Sequence, residues 1–116
     1  MTRELRISIF DFDGRRLFDW RIPRERRTPI FGAAVRPGDI SRALFRLRNE
    51  DVGPIADLLI RGDSRFVASI SPRRIESLPV DGEVPLAIDF TLPSDYALVR
   101  PGKTTVFFSG TVTGWV

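Results

Sequence analysis

Arg24, Arg26 and Arg27 fall within one short stretch and are followed by Ile30 and Phe31. Guanidinium groups gathered in this way suit two tasks. They can hold nucleic-acid phosphates, with an affinity that drops steeply as salt rises, or they can pair with carboxylates of a neighbouring protein. The two apolar residues after them, and Trp115 near the C-terminus, are of the kind that anchor protein interfaces. Arg24, Arg26, Arg27, Ile30, Phe31 and Trp115 are therefore the expected partner-binding residues. Charge is unevenly spread: residues 1–48 carry twelve arginines against six acids, a net of +6, while residues 49–116 carry six basic residues against nine acids, a net of −3. Such asymmetry predicts an electropositive face or arm. The whole chain reaches only +3, and no aromatic run is interleaved with the arginines as a base-stacking platform would require. Ion pairing with protein is accordingly expected ahead of nucleic-acid binding.

Covalent and acid–base chemistry has little to draw on. With no His and no Cys, the chain lacks the commonest general base and metal ligand, the thiolate nucleophile and any disulfide. No cofactor or metal is expected. The run Ile9-Phe10-Asp11-Phe12-Asp13-Gly14, with Leu17, Phe18 and Asp19 after it, is similar to the first motif of haloacid-dehalogenase-type phosphatases. That resemblance implies Asp11 as nucleophile and Asp13 as acid, with magnesium bridging a phosphate. The chain departs from the pattern in carrying Arg15 where the family has a hydroxyl, in being too short for the doubly wound fold, and in lacking βαβ alternation. Lys103 stands in a turn context. Asp13-Gly14 reads instead as a hairpin turn, and no enzyme is expected. Arg61-Gly62-Asp63-Ser64 reproduces the integrin-binding tripeptide, but Gly-Asp-Ser is ordinary turn chemistry.

The elements that must position these residues are strands. From Gly53 onward, turn signals recur at short, regular steps: Gly53-Pro54, Gly62-Asp63-Ser64, Ser71-Pro72, Asp81-Gly82, Pro93-Ser94, Pro101-Gly102 and Ser109-Gly110. Between them apolar residues alternate, most clearly Val84, Leu86, Ile88, Phe90 and Leu92. Phe66, Ala68 and Ile70 repeat the pattern, as do Ala56, Leu58 and Ile60, and then Val106, Phe108 and Val112. Pro85 predicts an edge position, or an N–H that no neighbour needs. Leu5, Ile7 and Ile9 face Phe18, Trp20 and Ile22 across an expected hairpin. Phe10 and Phe12 are out of phase with Ile9, which predicts a bulge or a strand covered on both faces. Residues 40–49 fit a strand with Ala43, Phe45 and Leu47 inward, or a short helix behind an Asp39 cap.

The run Val35-Arg36-Pro37-Gly38-Asp39, followed by Phe45-Arg46-Leu47-Arg48-Asn49, resembles the opening of bacterial immunoglobulin-like modules of the CARDB kind. Ile75-Glu76-Ser77-Leu78 before Asp81-Gly82, the long alternating strand to Leu92-Pro93, and Pro101-Gly102 before a final strand resemble the same modules. The resemblance favours a strand at 41–49. The expected architecture is thus all-β, one immunoglobulin-like antiparallel β-sandwich of about seven or eight strands. It comprises an N-terminal hairpin (1–22), an irregular Arg-rich arm (23–39) that would need a partner to bury Ile30 and Phe31, and a sandwich core (40–116).

The expected function is that of a non-catalytic structural or assembly subunit binding other protein subunits. It would form a homo-oligomer, on the analogy of a phage capsid-decoration or tail accessory protein. The alternatives are a carbohydrate-binding or adhesion module, for which only Trp20, Tyr96 and Trp115 could supply a planar aromatic pair, and a nucleic-acid binder using the arm. The first twenty residues hold no apolar signal core and no run of eighteen apolar residues exists, so cytoplasmic synthesis without a signal peptide, with the virion as a destination, and no membrane partner are expected. Asn49 is the single side-chain amide, Met1 the single methionine, and Cys is absent, a depletion that high temperature would select and that suggests a thermophile.

Overall fold

Alternating apolar and polar residues extend the backbone along most of this chain. The computed structural model describes residues 5–22, 31–62, 65–98, 102–108 and 110–115. Among these residues ten strands run in order: β1 (Leu5–Asp11), β2 (Arg16–Ile22), β3 (Gly32–Val35), β4 (Ile40–Asn49), β5 (Ile55–Gly62), β6 (Val67–Ser71), β7 (Arg74–Leu78), β8 (Glu83–Thr91), β9 (Thr104–Phe107) and β10 (Gly110–Trp115). One short 3-10 helix lies at Ser94–Leu98. The strands form a five-stranded sheet in the order β2-β1-β4-β8-β6, a three-stranded sheet β10-β5-β7 and a pair β3-β9. Every pairing is antiparallel. The expected all-β, sandwich-like architecture is therefore what the chain adopts, with ten strands in place of seven or eight.

The N-terminal hairpin forms as expected, with Leu5 opposite Ile22 and Ile9 opposite Phe18. Its bulge sits on β2: Phe10 pairs with Arg16, so Leu17 is the extra residue. Residues 40–49 are the strand β4, which pairs along its length with β8 from Ile40–Thr91 to Arg48–Glu83. Leu86, Ile88, Phe90 and Leu92 are buried, joined in one core by Ile7, Ile9, Leu47, Ile55, Leu58 and Phe108. Each fully buried Leu, Ile or Phe contributes roughly 1.5–3 kcal/mol of transfer free energy. Pro85 is opposite Arg46 on the β4 side, while β6 reaches only from Phe90 to Ala87 on the other. The missing N–H thus falls where β8 is locally an edge, although β8 itself is an interior strand.

Three expectations are corrected. On β5 the inward residue is Ile55, fully buried, and Ala56 is exposed. Asp57 adopts a left-handed backbone (φ 49°) where the register against β10 shifts, and the extra residue flips the alternation before Leu58 and Ile60. On β6, Ala68 is exposed because the register against β8 shifts between Val67 and Ser69. The arm at 23–39 is irregular only in part, since Gly32–Val35 is the strand β3, paired with β9. Gly32 permits that pairing: a Cβ there would lie 1.8 Å from the Val106 carbonyl oxygen.

One buried polar side chain ties the layers together. Asn49 Nδ2 donates to the carbonyls of Gly53 (3.0 Å), Leu78 (3.0 Å) and Pro79 (3.1 Å), and its Oδ1 accepts the Asp51 amide (2.8 Å). The end of β4, the loop into β5 and the turn between β7 and β8 are thereby held by one side chain.

Candidate functional site

Because Phe45, Leu47 and Asn49 point into the core, the intervening residues of β4 must face outward. These are Ile40, Arg42, Leu44, Arg46 and Arg48, a row with two large apolar side chains, Ile40 at 67% exposure and Leu44 at 51%. Across the ladder, Leu44 meets Ala87 and Arg46 meets Pro85 on β8. Phe12, 66% exposed, projects from the hairpin turn on the same side. Phe12, Leu44, Arg46, Pro72, Pro85 and Ala87 line a shallow groove of about 340 Å³ on the outer face of the five-stranded sheet. The Arg46 guanidinium lies 5.7 Å from the Phe12 ring centre.

Electrostatics sharpen the groove. On one flank Arg42 Nε donates to Asp89 (2.9 Å), whose other carboxylate oxygen accepts Ser69 Oγ (2.7 Å). These two hydrogen bonds, from Arg42 and then Ser69, hold the Asp89 carboxyl down at about 2. On the other flank Arg16 donates to Ser8 Oγ (2.7 Å), to Asp19 and to Glu50 (3.0 Å), with its guanidinium over Phe10 at 5.0 Å. Burial pushes the Asp19 carboxyl up, but hydrogen bonds from Ser8 and Arg16 outweigh it and leave the group below its ordinary range. Between these paired flanks, Arg46 has no acidic partner among the described residues.

Of the residues expected to bind partners, Arg24, Arg26, Arg27 and Ile30 lie outside the described residues. Phe31 is corrected: it is 4% exposed and needs no partner to bury it. Its ring stacks on Phe108 (5.2 Å) and meets Phe45 edge-on (5.1 Å), and its carbonyl accepts the Phe108 amide (2.8 Å). Trp115 is exposed, at 61%, but on β10 of the three-stranded sheet, so the fold does not bring it together with Phe31 or the groove. Tyr96 is half-buried, with Phe66 packed in a T-shaped contact at 6.0 Å and Arg65 both donating to its hydroxyl (2.6 Å) and lying over its ring. Asp11, of the phosphatase-like motif, spends a carboxylate oxygen on the Arg15 amide (2.8 Å) in the hairpin turn. Arg61 and Gly62 end β5, while Asp63 and Ser64 lie outside the described residues.

The groove residues Phe12, Leu44, Pro72 and Pro85 were not singled out from the sequence as a surface. Their one local sign is Leu44, an apolar residue in the outward register between Arg42 and Arg46. The rest of the groove comes from a turn, a strand connection and a neighbouring strand. Comparison with known families, curated proteins and solved structures finds no match for this chain.

Proposed function

We propose that the chain is a non-catalytic structural subunit that assembles with further copies of itself through the outer face of the five-stranded sheet. The observation that carries this reading is the juxtaposition of exposed Phe12 and Leu44 with Arg46, an arginine without an acidic partner among the described residues. Aromatic residues and arginine are the types enriched at protein interfaces, and an apolar strip rimmed by polar groups is the usual form of an unpaired docking surface. The resemblance to bacterial immunoglobulin-like modules supports the same reading at the level of fold, and a virion decoration or tail accessory subunit is the concrete role we favour. The absence of His and Cys favours binding over catalysis.

Light scattering coupled to size exclusion tests this. The native chain is expected to run as an oligomer, and Leu44→Glu is expected to give a monomer. The same change should alter folding stability by no more than about 0.5 kcal/mol, because the side chain is exposed. A native chain that stays monomeric at high concentration, or an oligomer indifferent to Leu44→Glu, would overturn the proposal.

A further inference from the structure

A second surface lies where the five-stranded sheet and the three-stranded sheet part. β6 pairs with β8 on one side, from Val67–Phe90 to Ser71–Ala87, and with no described strand on the other. β5 is held to β7 only as far as Leu59–Arg74, with one further bond from the Ile60 amide to the Arg73 carbonyl (2.8 Å). Beyond that point Arg61 and Gly62 are paired with β10 on one side and open on the other. The two open edges flank a cleft of about 550 Å³. This is within the roughly 300–1,000 Å³ typical of ligand sites. Gly62 lets the walls come together, since a Cβ there would lie 2.8 Å from Val67 Cγ1.

The lining joins an apolar floor of Ile60, Val67 and Ile70 to three arginines, Arg61, Arg73 and Arg74, and among the described residues it includes no acidic one. Arg74 is held by Asp57 at 2.6 Å. Arg61 and Arg73 have no acidic partner among the described residues. The Ser69 hydroxyl is already committed to Asp89. Among the described residues, the cleft therefore offers main-chain donors and acceptors along an edge that no strand pairs, apolar contacts at alternate positions, and two arginines, Arg61 and Arg73, without an acidic partner.

We infer that this cleft takes an extended, acidic peptide segment of a partner protein. The segment adds as a strand to the free edge of β6 and places carboxylates on Arg61 and Arg73. Strand addition obtains affinity from main-chain hydrogen bonds and specificity from alternate side chains, which is what an open edge over an apolar floor supplies. Arginine forks bind carboxylates in a two-pronged geometry that a lone cation cannot match. A single-stranded nucleic acid would need aromatic faces on which bases stack, and among the described residues the cleft lining has none.

The test uses the full chain and a fluorescently labelled synthetic peptide of alternating Glu and Val, read by polarisation. The expected result is saturable binding. Arg61→Ala and Arg73→Ala should each weaken it about tenfold or more, the loss expected for one charge-assisted hydrogen bond. Replacing Glu by Gln in the peptide, or N-methylating its alternate amides, should abolish binding without touching the protein. Circular dichroism establishes that both variants remain folded. The inference is overturned if the peptide does not bind, if neither arginine variant weakens it, if the N-methylated peptide binds equally well, or if inorganic phosphate or oligodeoxythymidylate displaces it at equal concentration. The Leu44→Glu variant should bind the peptide as the native chain does, which keeps this result separate from that of the assembly experiment.

Discussion

Asn49 is fully buried and its side-chain amide makes four contacts with main-chain groups of two segments, the loop into β5 and the end of β7 with the turn after it. Truncation to alanine takes a hydrogen-bond partner from the buried Asp51 amide and the buried Leu78 carbonyl, each worth about 1–3 kcal/mol when unsatisfied, while the Pro79 carbonyl keeps the Gly82 amide. Asn49→Ala is expected to lower stability by about 2–4 kcal/mol, as measured by urea unfolding, and a loss under about 1 kcal/mol would show that water replaces the amide. Asp89 makes a prediction in pH. Its folded carboxyl titrates at about 2, below the ordinary value, so its contribution to stability is fully present above the unfolded pKa. That contribution is lost as pH falls from about 4 towards 2. Carboxyl chemical shifts followed by NMR should place the native midpoint near 2, and in Arg42→Ala it should move up towards about 3.9. A native midpoint already at the ordinary value would show that the Arg42 and Ser69 hydrogen bonds do not persist in solution.

Elements show where local pattern stops being enough. β8 was legible because its alternation runs unbroken through Val84, Leu86, Ile88, Phe90 and Leu92, and the same holds for the strand phase of Phe45 and Leu47. β5 and β6 misled at Ala56 and Ala68, where single extra residues reset which side faces inward. A bulge is decided by the partner strand's register, which period-2 reading of one segment does not contain. β3 was hidden for a similar reason: Gly32-Ala33-Ala34-Val35 carries almost no strand propensity and exists by pairing with Thr104–Phe107, far along the chain. Its register depends on the bare Gly32 backbone. Gly32→Ala is expected to expel β3 from β9, costing about 1–3 kcal/mol and raising hydrogen exchange at the β9 amides while leaving β4 and β8 protected. Equal protection of β9 in the variant would show that the pair can slide to accommodate the methyl group.

At the scale of the whole molecule, composition and core point the same way. A chain nearly free of amides and methionine, with cross-strand arginine–carboxylate pairs at Arg42–Asp89 and Arg74–Asp57, is expected to unfold above the roughly 45–65 °C common for mesophile domains. Scanning calorimetry checks this, and a transition near 50 °C would remove the thermophile reading. The sequence alone determined the all-β class, the hairpin at Asp13-Gly14, the inward faces of β4 and β8 and the surplus of positive charge in the first half, because alternation, turn chemistry and charge are local properties. Only the tertiary structure decided that Phe31 belongs to the core, that Trp115 stands apart on the other sheet, and that Phe12, Leu44, Arg46 and Pro85 meet in one groove. Those outcomes depend on which strands pair and in what register. That is settled by packing between segments far apart in the chain, and no window of neighbouring residues encodes it.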